Sequence, residues 1–215
     1  MENTIEITAQ KKNELVQKHL ASSMSYEEFM NVMKKMVALK TNTGAIQNEA
    51  LTNFTLLNDV RMKRVEKTLQ IPKEIQALFS SYPGNQTWLV ITESWCGDAA
   101  QSLPIMHQLV SLSKGIDLRI VLRDDHLELM DAFLINEARS IPVLIVVDNK
   151  TKEIVSTWGP RPSMATTMVN TFKQTYGKLT SEFKKELQVW YNKDKGQNIM
   201  EDLAKLINFV PENDM

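Results

Sequence analysis

The sequence predicts an α/β fold with added helices at both ends. Three observations carry this. Between residues 86 and 176, four short runs rich in β-branched and apolar residues alternate with helical segments. The stretches before and after repeat their apolar residues at helical spacing. The only cysteine, Cys96, stands where the first β-rich run hands over to a helix.

Each element has its own signal. Leu15, Val16, His19 and Leu20 share one face of a first helix. Ser25-Tyr26-Glu27-Glu28 is a capping-box pattern, with Ser25 as N-cap and Glu28 reaching back to it. Tyr26, Phe29, Met33, Met36 and Val37 follow at helical spacing. Gly44 breaks the chain, and a long helix carries Ile46, Ala50, Phe54, Leu57, Val65 and Leu69. Pro72 stops it and opens a short helix through Phe79. Tyr82-Pro83-Gly84-Asn85 is a turn signal.

The texture then changes. Thr87–Thr92, Ile116–Leu122, Val143–Val147 and Glu153–Trp158 read as strands. Ala99–Leu112 reads as a helix that Pro104 should kink, and His126–Ile135 as a second helix. Asp148-Asn149-Lys150 is a hairpin turn and Gly159-Pro160-Arg161-Pro162 a stiff loop. Met164, Met168, Phe172 and Tyr176 mark a further helix, giving the order β-α-β-α-β-β-α. Phe183, Leu187 and Trp190, then Met200, Leu203, Leu206 and Ile207, mark two last helices. The division expected is a helical extension over 1–85, an α/β domain over 86–176, and C-terminal helices over 177–215 that pack on it.

Composition narrows the function classes. Hydrophobic residues are 43% and charged residues 24% of the chain, ordinary for a globular protein. The net charge is −1 and no basic stripe is interleaved with aromatics, so nucleic acid is not an expected partner. The start, MENTIEITAQ, lacks a basic segment followed by an apolar run, so no secretory signal is expected. The longest apolar run, Ile141–Val147, is too short for a bilayer. One cysteine forms no internal disulfide, and the expected location is the cytoplasm. The three histidines and one cysteine show no metal-ligand spacing. His107 lies eleven positions after Cys96, roughly 16 Å along a regular helix, too far to act as its base. His126 follows Arg123-Asp124-Asp125 and reads as a helix start.

The chemistry in view is that of a thiol. A free cysteine ionises near pH ~8.5, and a helix N-terminus lowers that value. Asp98, in the first turn, opposes a second negative charge beside it. A cation would tip the balance, and Arg161 is the candidate. The plain alternative is that Cys96 is a small buried hydrophobe. Glu93, three residues before it, is either a proton carrier or a solvated strand-end residue. Trp95 is expected to shield the cysteine, and Trp158 to close the fourth strand.

Trp95-Cys96-Gly97-Asp98-Ala99 resembles the Trp-Cys-Gly-Pro-Cys motif of thioredoxins. Pro104 stands eight residues after the cysteine, where that family carries a helix-kinking proline. Arg139-Ser140-Ile141-Pro142-Val143 resembles its cis-proline loop, and Gly159 its groove-lining glycine. More narrowly, the chain resembles a bacterial branch with a Trp-Cys-Gly-Asp-Ala motif and an N-terminal helical extension. Leu57-Asn58, Arg61-Met62 and Lys67 match that extension's pattern. The resemblance implies a thioredoxin-like fold with a four-stranded mixed sheet and a cis peptide at Pro142. It also implies a substrate groove made by Trp95, Gly97, Asp98, Ile141, Pro142, Gly159 and Arg161.

The departures are as informative. Thioredoxins carry a second cysteine where this chain has Ala99, and a buried aspartate where it has Val90. The intramolecular dithiol cycle cannot run. What remains is monothiol exchange: an exposed Cys96 with a lowered pKa attacks a protein or small-molecule disulfide, and an external thiol resolves the product. No bound cofactor is implied, only a low-molecular-weight thiol as co-substrate. Two alternatives stay open. One is a non-catalytic binding module using the groove beside Pro142. The other is a peroxide-reactive sensor, for which Glu93 replaces the hydroxyl residue usual three positions before such a cysteine. The sequence leaves open whether the added helices cover that groove or enlarge it, and what the oligomeric state is.

Overall fold

A computed structural model describes residues 7–208 of the chain. Four helices come first: α1 (Ala9–Leu20), α2 (Tyr26–Leu39), α3 (Glu49–Thr68) and α4 (Lys73–Ser80). The expected capping box is formed: Ser25 Oγ accepts from the Glu28 amide and Glu28 accepts from the Ser25 amide. The core follows in the expected order: β1 (Gln86–Thr92), α5 (Gly97–Val110), β2 (Ile116–Leu122), α6 (Leu127–Asp131), β3 (Val143–Asp148), β4 (Ile154–Trp158) and α7 (Ser163–Tyr176). Two helices end the described chain, α8 (Ser181–Asp194) and α9 (Gln197–Asn208). The reading of 177–215 extends beyond the described residues at its end.

The sheet order is β2-β1-β3-β4. β1 runs parallel to β2 and antiparallel to β3, and β3 pairs antiparallel with β4. This is the mixed four-stranded sheet of a thioredoxin-like fold. Strand side chains alternate between its faces. Trp88, Val90, Ile120, Leu144 and Val146 enter one apolar cluster with α2, α3, α5, α8 and α9. Leu89, Ile91, Val121, Val143 and Ile145 enter another with Leu15 and Val16 of α1 and Leu129 and Met130 of α6. Both faces of β1 are covered, so the whole strand is buried. The free side of β2 is bridged by Met24 through paired Ile120 hydrogen bonds of 2.8 Å. No described helix is long and apolar enough to cross a membrane.

Two sequence expectations are corrected here. The helix expected over His126–Ile135 stops at Asp131. Asn136 and Glu137 adopt φ of 50° and 59°, a left-handed turn that closes the Ile135–Ala138 bridge and cannot continue a helix. The β3–β4 turn is longer than Asp148-Asn149-Lys150: the Asp148 amide donates to the Glu153 carbonyl, and Lys152 has a φ of 64°.

Candidate functional site

Cys96 is the N-cap of α5, directly after the bend that follows β1. Its Sγ accepts weakly from the Ala99 amide at 3.5 Å and donates to the Ile141 carbonyl at 3.3 Å. Ile141–Pro142 is a cis peptide, as the resemblance implied, and Gly159–Pro160 is another. β3 begins immediately after this loop, and Gly159 closes β4 against it, its Cα facing the Pro142 carbonyl. Cys96, Ile141, Pro142 and Gly159 thus meet at one end of the sheet.

The state of the sulfur overturns an expectation. Cys96 is 6% exposed, not solvent-facing. Burial, then the Asp98 carboxylate, push its thiol up to about 12. The Ala99 and Asp98 amides pull the other way, and Arg161 adds the weakest pull. The helix N-terminus works as expected but is outweighed.

Arg161 acts mainly elsewhere. Its Nη2 lies 2.8 Å from Asp98 Oδ2, with the Asp98 side chain 11% exposed. Tyr191 of α8 donates its hydroxyl to Asp98 Oδ1 at 3.0 Å. Burial still pushes the Asp98 carboxyl above its ordinary value, against the pull of Arg161 and Tyr191. The first turn of α5 is therefore tied from two sides: to the Gly159–Pro162 loop by Arg161 and to α8 by Tyr191.

Glu93 is 1% exposed, which corrects its reading as a solvated strand end. Its carboxylate accepts from the Thr43 hydroxyl and, at 2.8 Å, from the Asp124 amide. Thr43 also accepts from the Ser94 amide at 2.9 Å, and Asn58 Nδ2 donates to the Ser94 carbonyl at 3.0 Å. Glu93 thus pins the α2–α3 loop to the end of β1, and its carboxylate makes no hydrogen bond to Cys96. Trp95 is half-buried, with the Arg123 guanidinium 4.7 Å above its ring, and it packs in the same cluster as Cys96. Trp158 packs on the other cluster, and its Nε1 donates to Asp202 at 3.4 Å.

The added helices both border and narrow the site. A groove beside Gly159 is lined by Val143, Trp158 and Phe133 and bordered by Lys12 and Asn13 of α1. On the other side, α3 and α8 close in: a side-chain carbon added to Gly97 would lie 3.5 Å from Arg61 Nη1 and 3.7 Å from Gln188 Nε2. Sequence reading missed Tyr191, Gln188 and Thr43. It noted Arg61 only as part of a pattern.

Fold and site together define an α/β protein with one cysteine capping a helix beside a cis-proline loop. A thioredoxin family model matches residues 44–178, so the chain belongs to that family. The match takes in α3 but neither α8 nor α9. No curated protein matches the chain. Among solved structures it is similar to PA1234, a protein of unknown function from Pseudomonas aeruginosa. The two are 16% identical with a TM-score of 0.53, over 86% of this chain and 98% of that one. It is also similar to an HIV epitope-scaffold, at 16% identity and a TM-score of 0.53, over 87% of this chain and 99% of that one. At that identity the likeness is one of fold.

Proposed function

We propose that this protein carries out monothiol thiol–disulfide exchange through Cys96, with an external thiol completing the cycle. The observation that carries the reading is the placement of Sγ. It caps α5 and lies 3.3 Å from the Ile141 carbonyl, beside the cis-proline loop. The Cys96 thiolate attacks one sulfur of a substrate disulfide. That S–S bond breaks, a mixed disulfide forms on Cys96, and the departing thiolate takes a proton from water. A second thiolate then attacks the substrate-derived sulfur of the mixed disulfide and returns Cys96 as thiolate. Burial first, and the Asp98 carboxylate second, push the thiol up to about 12, so little of the sulfur is thiolate near neutrality and exchange is slow. The Trp95–Ala99 motif and the Leu57–Lys67 pattern of α3 support placement in the bacterial Trp-Cys-Gly-Asp-Ala branch.

The test is turnover of bis(2-hydroxyethyl) disulfide with glutathione as the external thiol, in wild type and Cys96→Ser. Loss of turnover in the variant supports the reading. Equal rates refute it.

A second reading is favoured by the burial of Cys96 and its retained proton. In it the groove beside Pro142 holds an extended peptide without chemistry. It gains if the native thiol resists alkylation at pH 8 and turnover is absent in wild type as well.

A further inference from the structure

A second cavity, which Cys96 does not line, lies between the end of α3, the middle of α5 and the α8–α9 turn. It measures about 650 Å³, inside the range of roughly 300–1,000 Å³ usual for small-molecule sites. Its floor is apolar: Val65, Ile105, Tyr191, Ile199 and Met200 line it and are all buried. The wall made by residues 191–200 lies beyond the segment that the family model matches. The α8–α9 turn is held down on α5. Gly196 has a φ of 81°, and a Cβ there would run into Ile105 Cδ1.

The rim of this cavity is cationic. Arg64, Lys193 and Lys195 line it, against a single carboxylate, Asp194. Among the described residues, none of the three cations forms an ion pair. Asp194 is engaged with α9 and accepts from the Asn198 amide at 3.2 Å. The half-buried Arg64 guanidinium is oriented by two neutral acceptors, Asn192 and, at 3.2 Å, Gln101. Gln101 is 4% exposed and is itself fixed by donating to Gln188 at 3.0 Å. These bonds use two of the five guanidinium N–H donors and leave the others for a ligand.

We propose that this cavity binds a small molecule with an aliphatic body and a terminal carboxylate. The body covers the floor of Val65, Ile105 and Ile199. The carboxylate meets Arg64, and Lys193 and Lys195 add positive potential at the rim. A carboxylate suits the site better than a phosphate. Phosphates are commonly held by free amides at a helix N-terminus, and here Asp194 already occupies the start of α9. What remains is a guanidinium fork, which matches the two oxygens of a carboxylate. The site stands independently of the exchange reading, and what it does is bind.

N-phenyl-1-naphthylamine, a neutral dye that fluoresces in apolar surroundings, is the probe for the floor, and decanoate is the competitor. In the wild-type chain the dye binds saturably at one site and decanoate displaces it. Arg64→Gln keeps the affinity for the dye and weakens decanoate about tenfold, the loss of one charge-assisted contact. Thr68→Trp puts a large side chain into the cavity lining and weakens both. Lys193→Gln combined with Lys195→Gln changes only exposed side chains and weakens decanoate by a smaller factor. Far-UV circular dichroism and the thermal midpoint check that each variant is folded. No saturable dye binding, no displacement by decanoate, or equal decanoate affinity in Arg64→Gln overturns the site. Unchanged binding of both in Thr68→Trp does the same. If Arg64→Gln does not fold, the lysine pair decides, and unchanged decanoate affinity there overturns the site as well.

Discussion

Arg161 Nη2 lies 2.8 Å from Asp98 Oδ2, so the cation expected to draw a proton off Cys96 is spent on the residue two positions along. The Asp98 carboxylate raises the Cys96 value, while Arg161 lowers it only weakly. In Asp98→Asn the like charge is gone and Arg161 is freed toward the thiol, and both changes favour the thiolate. The expected result is a fall of at least about one pKa unit, read as roughly tenfold faster alkylation by iodoacetamide at pH 8. The same variant leaves Arg161 without its partner and loses about 3 kcal/mol of stability. An unchanged alkylation profile in a folded Asp98→Asn protein would remove Asp98 from the control of Cys96.

Alkaline stability follows from the same thiol. Its folded value of about 12 lies well above that of a free cysteine, so the folded chain holds the proton more tightly than the unfolded one. That contribution is complete below about pH 9 and is lost as pH rises toward 12, at about 1.4 kcal/mol per unit. Tyr191, raised by burial and by Asp98, acts in the same direction above pH 10. Urea denaturation of wild type and Cys96→Ala from pH 8 to 11 should show a steeper decline in wild type. Parallel curves would contradict the buried, protonated thiol.

Glu93 offers a test of charge against hydrogen bonding. Burial raises its carboxyl even though Thr43 and the Asp124 amide donate to it. A neutral amide of the same shape keeps its oxygen on the Asp124 amide and can donate its NH2 to the Thr43 hydroxyl oxygen, so both contacts survive without the charge. Glu93→Gln is expected within about 1 kcal/mol of wild type at pH 7, whereas Glu93→Ala loses about 2–3 kcal/mol by stranding two donors. Equal damage from both substitutions, measured by urea midpoint, would show that the charge itself is required.

Gly159 sits at φ 134°, outside the range of residues with a Cβ, and a Cβ there would collide with the Pro142 carbonyl. Gly159→Ala combines backbone strain with overlap against main chain, and is expected to lose at least about 3 kcal/mol. A thermal midpoint within a few degrees of wild type would show that the β4 end can move away from the Pro142 loop.

The fold was legible where the signals are local. β2 falls on the expected residues, and the Ser25–Glu28 box and the Pro72 break act within one turn. The junction at Cys96 was legible because strand, bend and helix follow one another in sequence. The protonation of Cys96 was not, because it is set by groups far along the chain. Tyr191 is 93 positions from the Asp98 it binds; the four-residue spacing of Phe183, Leu187 and Tyr191 places it on the inner face of α8, but nothing local names Asp98 as its partner. Glu93 misled because its acceptor role depends on Thr43, 50 residues earlier, folding over the end of β1. The short α6 depends on two left-handed residues that carry side chains, where glycine would have announced the turn.

Phe29 of α2, Met62 of α3, Trp88 of β1, Leu103 of α5, Tyr191 of α8 and Leu203 of α9 all share one apolar cluster. None of these layers can peel away without wetting the others, so heat or urea should melt them as one cooperative unit. Excising 86–176 would strip cover from Trp88 and Leu103 and leave a fragment with one raw oily side. Shortening this molecule therefore means redesigning its interior, not trimming its edges.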